Sequence, residues 1–455
     1  MVEKSLIDKA VSHELIEKLF LNALEVILKN KILLFTVYGI IASYFYNLPV
    51  LKYSIKGDNE FRLYDILGVV LMLFYYKFYN TVDVVIRKVF FLKILRRFMI
   101  WAGITMVMTL FFHILADKLV GFLQVILYMY HFWVFYVAAV FFYIFCLNAT
   151  ILKTGIYLIL FLSIGSCLII IMQNLGLISF LWSDIYFKGY QGFLSGTLGP
   201  NKIVTGMTSL FVASLCFGLL LEKQYRINIL VVYVAVLLNI YIIFISGSRT
   251  TYVAFLILLV FFAVRSPLRF ILGGSVLLFS FTIMLSAYPN LQKTFDQTLE
   301  NRIFSKTEVF DEGNNDAEYS DAYEDLGSGR ENLTKNNLIY ILENPQMIPF
   351  GTGFVNHLNK TFGKSAHNMY LQSIRETGLV GFFLYFGWLL SYLFIRFDKY
   401  KGFSIALQGL VFAMLVTLFF GEHLYIYRPL FGLLGLFLII TSIFVASLHK
   451  IEIKS

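Results

Sequence analysis

Residues 228–264 read NILVVYVAVLLNIYIIFISGSRTTYVAFLILLVFFAV. Two uncharged apolar runs flank one polar turn, Ser246-Gly247-Ser248-Arg249-Thr250-Thr251. A helix at the surface of a soluble domain carries a polar stripe. Runs that are apolar all round and long enough to cross hydrocarbon belong in a bilayer. The same pattern recurs along the chain. Spans are expected at about 32–49, 63–80, 98–115, 120–146, 154–174, 202–221, 228–246, 250–264, 270–287, 378–395, 402–420 and 430–447. The fourth is long enough to be tilted or broken. The expected fold is an all-α polytopic membrane protein of about twelve transmembrane helices.

Composition agrees. Of 455 residues, 59% are hydrophobic and 14% charged, against about 25% charged in a soluble domain. Mean hydropathy is +0.76. A disordered chain, a collagen-like chain and a disulfide scaffold are excluded. Cys146, Cys167 and Cys216 all lie in apolar runs with no CxxC spacing, so neither a zinc site nor a disulfide framework is supported. The net charge is +9. Most basic residues occupy short runs between spans, so the charge reports topology, and no nucleic-acid partner is expected.

Lys and Arg set the orientation. With a cytoplasmic N-terminus, the inside segments hold twenty of them, including Arg87, Lys88, Lys93, Arg96 and Arg97, and the short outside loops hold eight. Both termini are then cytoplasmic, as an even number of spans requires. Residues 1–31 form a cytoplasmic amphipathic N-terminus, in which 14–29 reads as an interfacial helix. Residues 32–287 carry spans one to nine. Residues 288–377 form a long extracytoplasmic segment with short helices. Residues 378–447 carry spans ten to twelve, and 448–455 are a cytoplasmic tail. The acidic run from Asp311 to Asp325 reads as solvated loop and lacks EF-hand spacing.

Four segments on the expected outer side combine glycine, helix-starting residues and cations. Gly196-Thr197-Leu198-Gly199-Pro200-Asn201-Lys202 precedes span six. Ser246 to Thr251 places Arg249 at a helix start. Ser328-Gly329-Arg330-Glu331 has capping-box spacing. The helix it opens is amphipathic through Leu338, Ile339 and Leu342 and stops before Pro345. Ser365-Ala366-His367-Asn368-Met369-Tyr370 precedes span ten; Ser365 as N-cap would put His367 in a first helical turn. Helix N-termini favour anions, and arginine binds phosphate through a two-pronged fork. Arg249 and Arg330 at two such ends suit phosphate or pyrophosphate. The same field disfavours the charged form of His367, whose reference pKa is about 6.5, leaving a neutral imidazole able to accept a proton.

Each residue also has a plainer reading. Arg249 could anchor a helix end at the headgroups, Arg330 could be solvated, and His367 could be structural. Arg375 and Glu376 could pair with each other or with neighbours. Glu422, His423 and Arg428 could be an ordinary membrane-end cluster. His113 and His131 are the main ionisable residues within spans.

The order Ser246-Gly-Ser-Arg249-Thr, Gly329-Arg330, Asn344-Pro345, Phe350-Gly-Thr-Gly353, His367-Asn-Met-Tyr-Leu-Gln372 and Glu376-Thr-Gly-Leu-Val-Gly381 resembles the O-antigen polymerase/ligase family over roughly 196–395. The resemblance implies a metal-independent, cofactor-free, inverting glycosyltransferase of GT-C-type membrane architecture. Its donor would be a glycan on undecaprenyl pyrophosphate. Carried over, Arg249 and Arg330 bind the pyrophosphate and His367 activates the acceptor hydroxyl, making these three the expected catalytic residues. Asn368 helps place the histidine loop. Asn201, Lys202, Arg375, Glu376 and Arg428 complete the expected substrate-binding set. Members often carry an arginine near the position of Phe193; here Lys188 and Lys202 are the nearest cations, and lysine supplies charge without the fork.

The chain is lysine-rich, with 24 Lys to 13 Arg. This hints at an AT-rich bacterial genome and favours a capsule, exopolysaccharide or O-antigen polymerase over a ligase acting on lipid A–core. The expected location is the bacterial cytoplasmic membrane, with membrane lipids, a flippase and a chain-length regulator as partners. The rival class is a lipid-linked oligosaccharide flippase or other transporter. Against it, the two halves show no clear repeat, and the unusual polar chemistry gathers on one side.

Overall fold

The computed structural model describes residues 22–52, 60–115, 119–181, 195–199, 201–222, 227–300, 330–355, 367–395, 401–425 and 432–447. The acidic run 311–325, Lys188, Phe193, Pro200, Ser328, Gly329, Ser365, Arg428 and the tail 448–455 lie outside the described residues, as does the side chain of Arg330.

The chain is helical. Helices α1 (Asn22–Leu28) and α2 (Lys31–Phe45) meet at a 58° bend. A ladder pairs Leu51–Lys52 with Glu60–Phe61. Then α3 (Leu63–Lys77) and α4 (Tyr79–Lys88) meet at 87°. Next come α5 (Phe90–Leu115), α6 (Leu119–Cys146), α7 (Ala149–Asn174), α8 (Lys202–Leu221), α9 (Ile229–Ile245) and α10 (Arg249–Arg265). They are followed by α11 (Pro267–Ala287), α12 (Pro289–Leu299), α13 (Arg330–Glu343), α14 (Met369–Ser391), α15 (Lys401–Thr417) and α16 (Leu433–Ala446).

Each of the twelve expected spans overlaps a helix, but the span at 63–80 runs across the bend between α3 and α4. Six helices are long and apolar enough to cross a membrane, or up to eight if each bent pair counts as one span; α9, α15 and α16 are shorter apolar helices. The protein is therefore a polytopic helical membrane protein. The long fourth span is one unbroken helix. At 1.5 Å per residue α6 is about 42 Å long, more than the roughly 30 Å of hydrocarbon. Helix α11 has no buried residue. Its apolar surround is stable because lipid is the solvent.

Local chemistry starts the helices. Asn30 accepts from Leu33 N–H at 3.0 Å, Asn148 from Thr150 N–H at 2.9 Å and Asn228 from Leu230 N–H at 2.9 Å. Each such cap contributes about 1 kcal/mol. Pro267 and Pro289 open α11 and α12, where no N–H is needed.

Helix α8 is at the centre, buried along most of its length and packed on α9, α15 and α16. Helices α8 and α10 run parallel: Gly206 meets Ser246 and Thr251 near their starts, and the Phe217 and Phe262 rings sit 5.3 Å apart further along. Helix α15 runs the other way. Gly402 at its start abuts Leu221 at the end of α8, and the Ser214 hydroxyl donates to Ala406 O at 3.2 Å. The end of α15 therefore reaches the level at which α8 and α10 begin.

Candidate active site

The site is built from helix starts. Asn201 caps α8, its Oδ1 accepting from Ile203 N–H at 2.8 Å, and Lys202 is the first helical residue. The preceding Ser195–Gly199 segment is buried in the bundle rather than lying over it. Asn47 donates from its backbone to Thr197 O at 2.8 Å. The Thr197 hydroxyl donates to Phe45 O at 2.7 Å. Gln173 Oε1 accepts from Gly196 N–H at 2.9 Å.

Ser248 caps α10. Its Oγ accepts from Thr251 N–H at 3.3 Å and from the Thr251 hydroxyl at 2.9 Å. Arg249, half-buried, is the first residue of that helix. A side chain at Gly206 would press into Thr251 Oγ1 and stand 2.9 Å from Ser246 Oγ. Only glycine lets α8 approach the Ser246–Thr251 turn this closely. Lys202 and Arg249 thus open two neighbouring parallel helices that touch just past their starts.

The histidine segment meets the end of α15. The cap of α14 is Asn368, whose Oδ1 accepts from Tyr370 N–H at 2.9 Å and Leu371 N–H at 3.2 Å. This corrects the expectation of Ser365 as cap with His367 inside the first turn. His367 precedes the cap, half-buried, with a left-handed backbone at φ 49°. An asparagine amide reaching two orphan N–H groups is the better cap. The Met369 amide donates to Leu418 O at 2.8 Å, and Tyr370 Oη donates to Leu415 O at 2.7 Å. Because α15 ends level with the starts of α8 and α10, His367, Arg249 and Lys202 occupy one level of the bundle.

Helix α14 begins at Met369, well before the expected boundary at 378, and breaks at Gly378, where φ is 67° and ψ −173°. The carbonyls freed there are taken by other segments. Arg375 O accepts from Thr352 N–H at 2.7 Å and Glu376 O from Gly353 N–H at 2.9 Å. Thr377 O accepts from the Trp101 indole at 2.8 Å, and Leu379 N–H donates to Ile348 O at 2.8 Å. A Cβ on Gly351 would lie 2.6 Å from Gly378 N. The Phe350-Gly-Thr-Gly353 and Glu376-Thr-Gly378 motifs are thus two halves of one joint.

Arg375 and Glu376 are both buried. Arg375 Nη1 donates to Asn337 Oδ1, fastening α13 to α14. Arg375, with Tyr340, Asn344 and Thr352, borders a small cleft. Glu376 Oε1 accepts from Gln372 Nε2, and Oε2 accepts from Tyr425 Oη and from Val355 N–H, the last at 3.0 Å. Burial, and then the Glu376 carboxylate, raise the Tyr425 phenol well above its ordinary pKa, so it stays a donor. Arg330 is the first residue of α13, as expected. Leu338, Ile339 and Leu342 of that helix are exposed rather than packed on protein, while Asn337 is buried.

Sequence reading overlooked a polar cluster at the start of α3. Asp65 Oδ2 accepts from Arg62 N–H at 2.7 Å, and its Oδ1 pairs with His131 Nε2 on α6. The signal was the acid within the span 63–80, since ionisable residues in spans are functional candidates. Tyr425, Gln372 and Val355 were also missed, because their role depends on contacts across the chain. Among the described residues, no group of three or more His, Cys, Asp or Glu could hold a metal ion.

Residues 234–386 match the family model described as O-antigen ligase. The match spans about a third of the chain, and over that stretch the chain is similar to a family that transfers glycans. The matched stretch contains Arg249, Arg330, His367, Asn368, Arg375 and Glu376; Asn201, Lys202 and Arg428 lie outside it. No curated protein matches the chain.

Proposed function

We propose that the protein is a polysaccharide polymerase. It joins repeat units carried on undecaprenyl pyrophosphate at the outer face of a bacterial cytoplasmic membrane, by inverting glycosyl transfer and without a metal. The observation that carries this reading is the shared level of three chain elements: the helix starts bearing Lys202 and Arg249, and the His367 segment tied to the end of α15. The acceptor hydroxyl gives its proton to the neutral His367 imidazole. Its oxygen forms the new bond to the anomeric carbon as the bond from that carbon to the pyrophosphate oxygen breaks. The leaving lipid pyrophosphate keeps the electron pair. Its charge is held by Arg249 and Arg330, with Lys202 and the helix N-termini adding to the field. A positioned base contributes about 10²–10⁴-fold, and preorganised cations are often the larger effect.

In this reading the chain crosses twelve times in a GT-C-type architecture, both termini are cytoplasmic and the site faces outward. A ligase shares the donor chemistry and differs in acceptor; the lysine-rich composition favours the polymerase. The test is reaction of purified protein with a defined lipid-linked repeat, with and without added divalent metal. Wild type should form dimers and longer glycans and release lipid pyrophosphate. Transfer only to lipid A–core would make it a ligase. Substrate movement between leaflets with no new glycosidic bond would make it a flippase.

A further inference from the structure

Val355 and His367 are the two non-glycine residues with positive φ among the described residues, at 62° and 49°. They bracket residues 356–366. A left-handed backbone is costly for any side chain and worst for a β-branched one, so Val355 needs an external restraint. The restraint is visible. Its N–H donates to Glu376 Oε2 at 3.0 Å, and its side chain is fully buried.

The other end is held on the same helix face. Asn368, Gln372 and Glu376 succeed one another at intervals of four, which stacks them along one side of α14. Gln372 N–H donates to Asn368 O at 2.9 Å, and Gln372 Nε2 donates to Glu376 Oε1. Tyr425 closes the set by donating to Oε2. The carboxylate therefore accepts from three donors and none of it is exposed. Strain held by its surroundings next to a functional residue is characteristic of preorganisation.

We propose that Glu376 is a positioning residue for His367. It clamps Val355 against α14 while Asn368 fixes the His367 end, so that both ends of the connecting segment are referred to one rigid helix face. This rests on His367 being the base. The carboxylate accepts from the three donors through two charged oxygens. Glu376→Gln leaves one neutral oxygen for Val355 N–H and Tyr425 Oη, so both lose a charge-assisted acceptor even when the Gln372 amide turns over to accept from the new NH₂.

The experiment compares wild type, Glu376→Gln, Val355→Gly and the double variant, in lipid nanodiscs with a lipid-linked repeat unit. Glycine adopts the left-handed conformation without strain, so Val355→Gly removes the need for the clamp; Val355→Asn, which also tolerates that conformation, is the second choice if the glycine variant does not fold. Glu376→Gln should lower kcat about 30–100-fold, the scale of a small misplacement of a catalytic group, with KM changed less than about twofold. In the Val355→Gly or Val355→Asn background the same substitution should cost less than about fivefold. Hydrogen exchange should accelerate in Glu376→Gln over 354–356 and 367–371.

An undiminished loss in the relaxed background overturns the proposal, as does unchanged exchange over 367–371. The exchange result separates this proposal from the functional reading. If His367→Ala keeps full turnover, the base assignment falls while exchange still reports the clamp. If His367→Ala is inactive and exchange is unchanged, the clamp alone falls.

Discussion

The Met369 amide donates to the Leu418 carbonyl at 2.8 Å, fastening the start of α14 to the end of α15. His367 stands just before this bond, so the end of α15 sets its level relative to Arg249 and Lys202. The first prediction follows. His367→Ala should lower glycosyl transfer about 10²–10⁴-fold while binding of the lipid-linked donor stays within a few-fold. Rates from purified protein together with donor binding test this. Retained turnover removes the proposed base.

Arg249 begins α10, and in the proposed reaction the helix dipole and its forked guanidinium act together on the leaving group. Arg249→Ala should reduce transfer by about 10²–10³-fold. Arg249→Lys should recover only part of that, because an ammonium is a point charge. Release of lipid pyrophosphate reads the difference. Equal rates for the lysine variant and wild type would show that charge alone suffices.

Gly378 carries the break in α14, and a Cβ there would press on Pro349 O and stand 2.5 Å from Phe350 N. Gly378→Ala adds roughly 1–2 kcal/mol for the left-handed backbone to the cost of that contact. The expected result is a lower thermal midpoint in detergent, with the 348–353 joint loosened. An unchanged midpoint would contradict the joint.

Asp83 on α4 pairs with Arg87 at 2.7 Å and with Arg96. Burial alone would raise its pKa, but the hydrogen bonds and charges of Arg96 and Arg87 outweigh it, and the pKa is lowered. A carboxylate depressed in the folded state contributes stability above its unfolded pKa of about 3.9. That contribution is lost as pH falls through the lower folded value. Between about pH 5 and pH 3, wild type should therefore lose a component of stability that Asp83→Asn lacks throughout. Thermal midpoints of both proteins across that range test the sign.

The apolar helices were legible because lipid selects for apolarity at every turn, and each expected span overlaps a helix. The buried stretch 375–377 within α14 was not. Arg375, Glu376 and Thr377 look like a polar loop before an apolar run, yet they are helical and buried, satisfied by Asn337, Tyr425, Val355 and Thr352 from distant parts of the chain. The motifs around Arg249 and His367 were legible as helix starts, but their common level depends on α15 running opposite to α8, which no local pattern encodes. Leu338, Ile339 and Leu342 were read as the apolar side of an amphipathic helix, and in the structure they are exposed. Once lipid is one of the solvents, apolarity no longer says which side is inside.

The break at Gly378 has a consequence for exchanging parts between related proteins. The backbone of 348–353 fits the helix like a tongue in a slot, with carbonyls and amides of each segment serving the other. A chimera that imports residues 348–353 without residues 375–379 separates the two halves of that fitting. Natural or engineered recombination that retains a working enzyme should therefore carry both stretches together, and crossovers between them should yield poorly assembled protein.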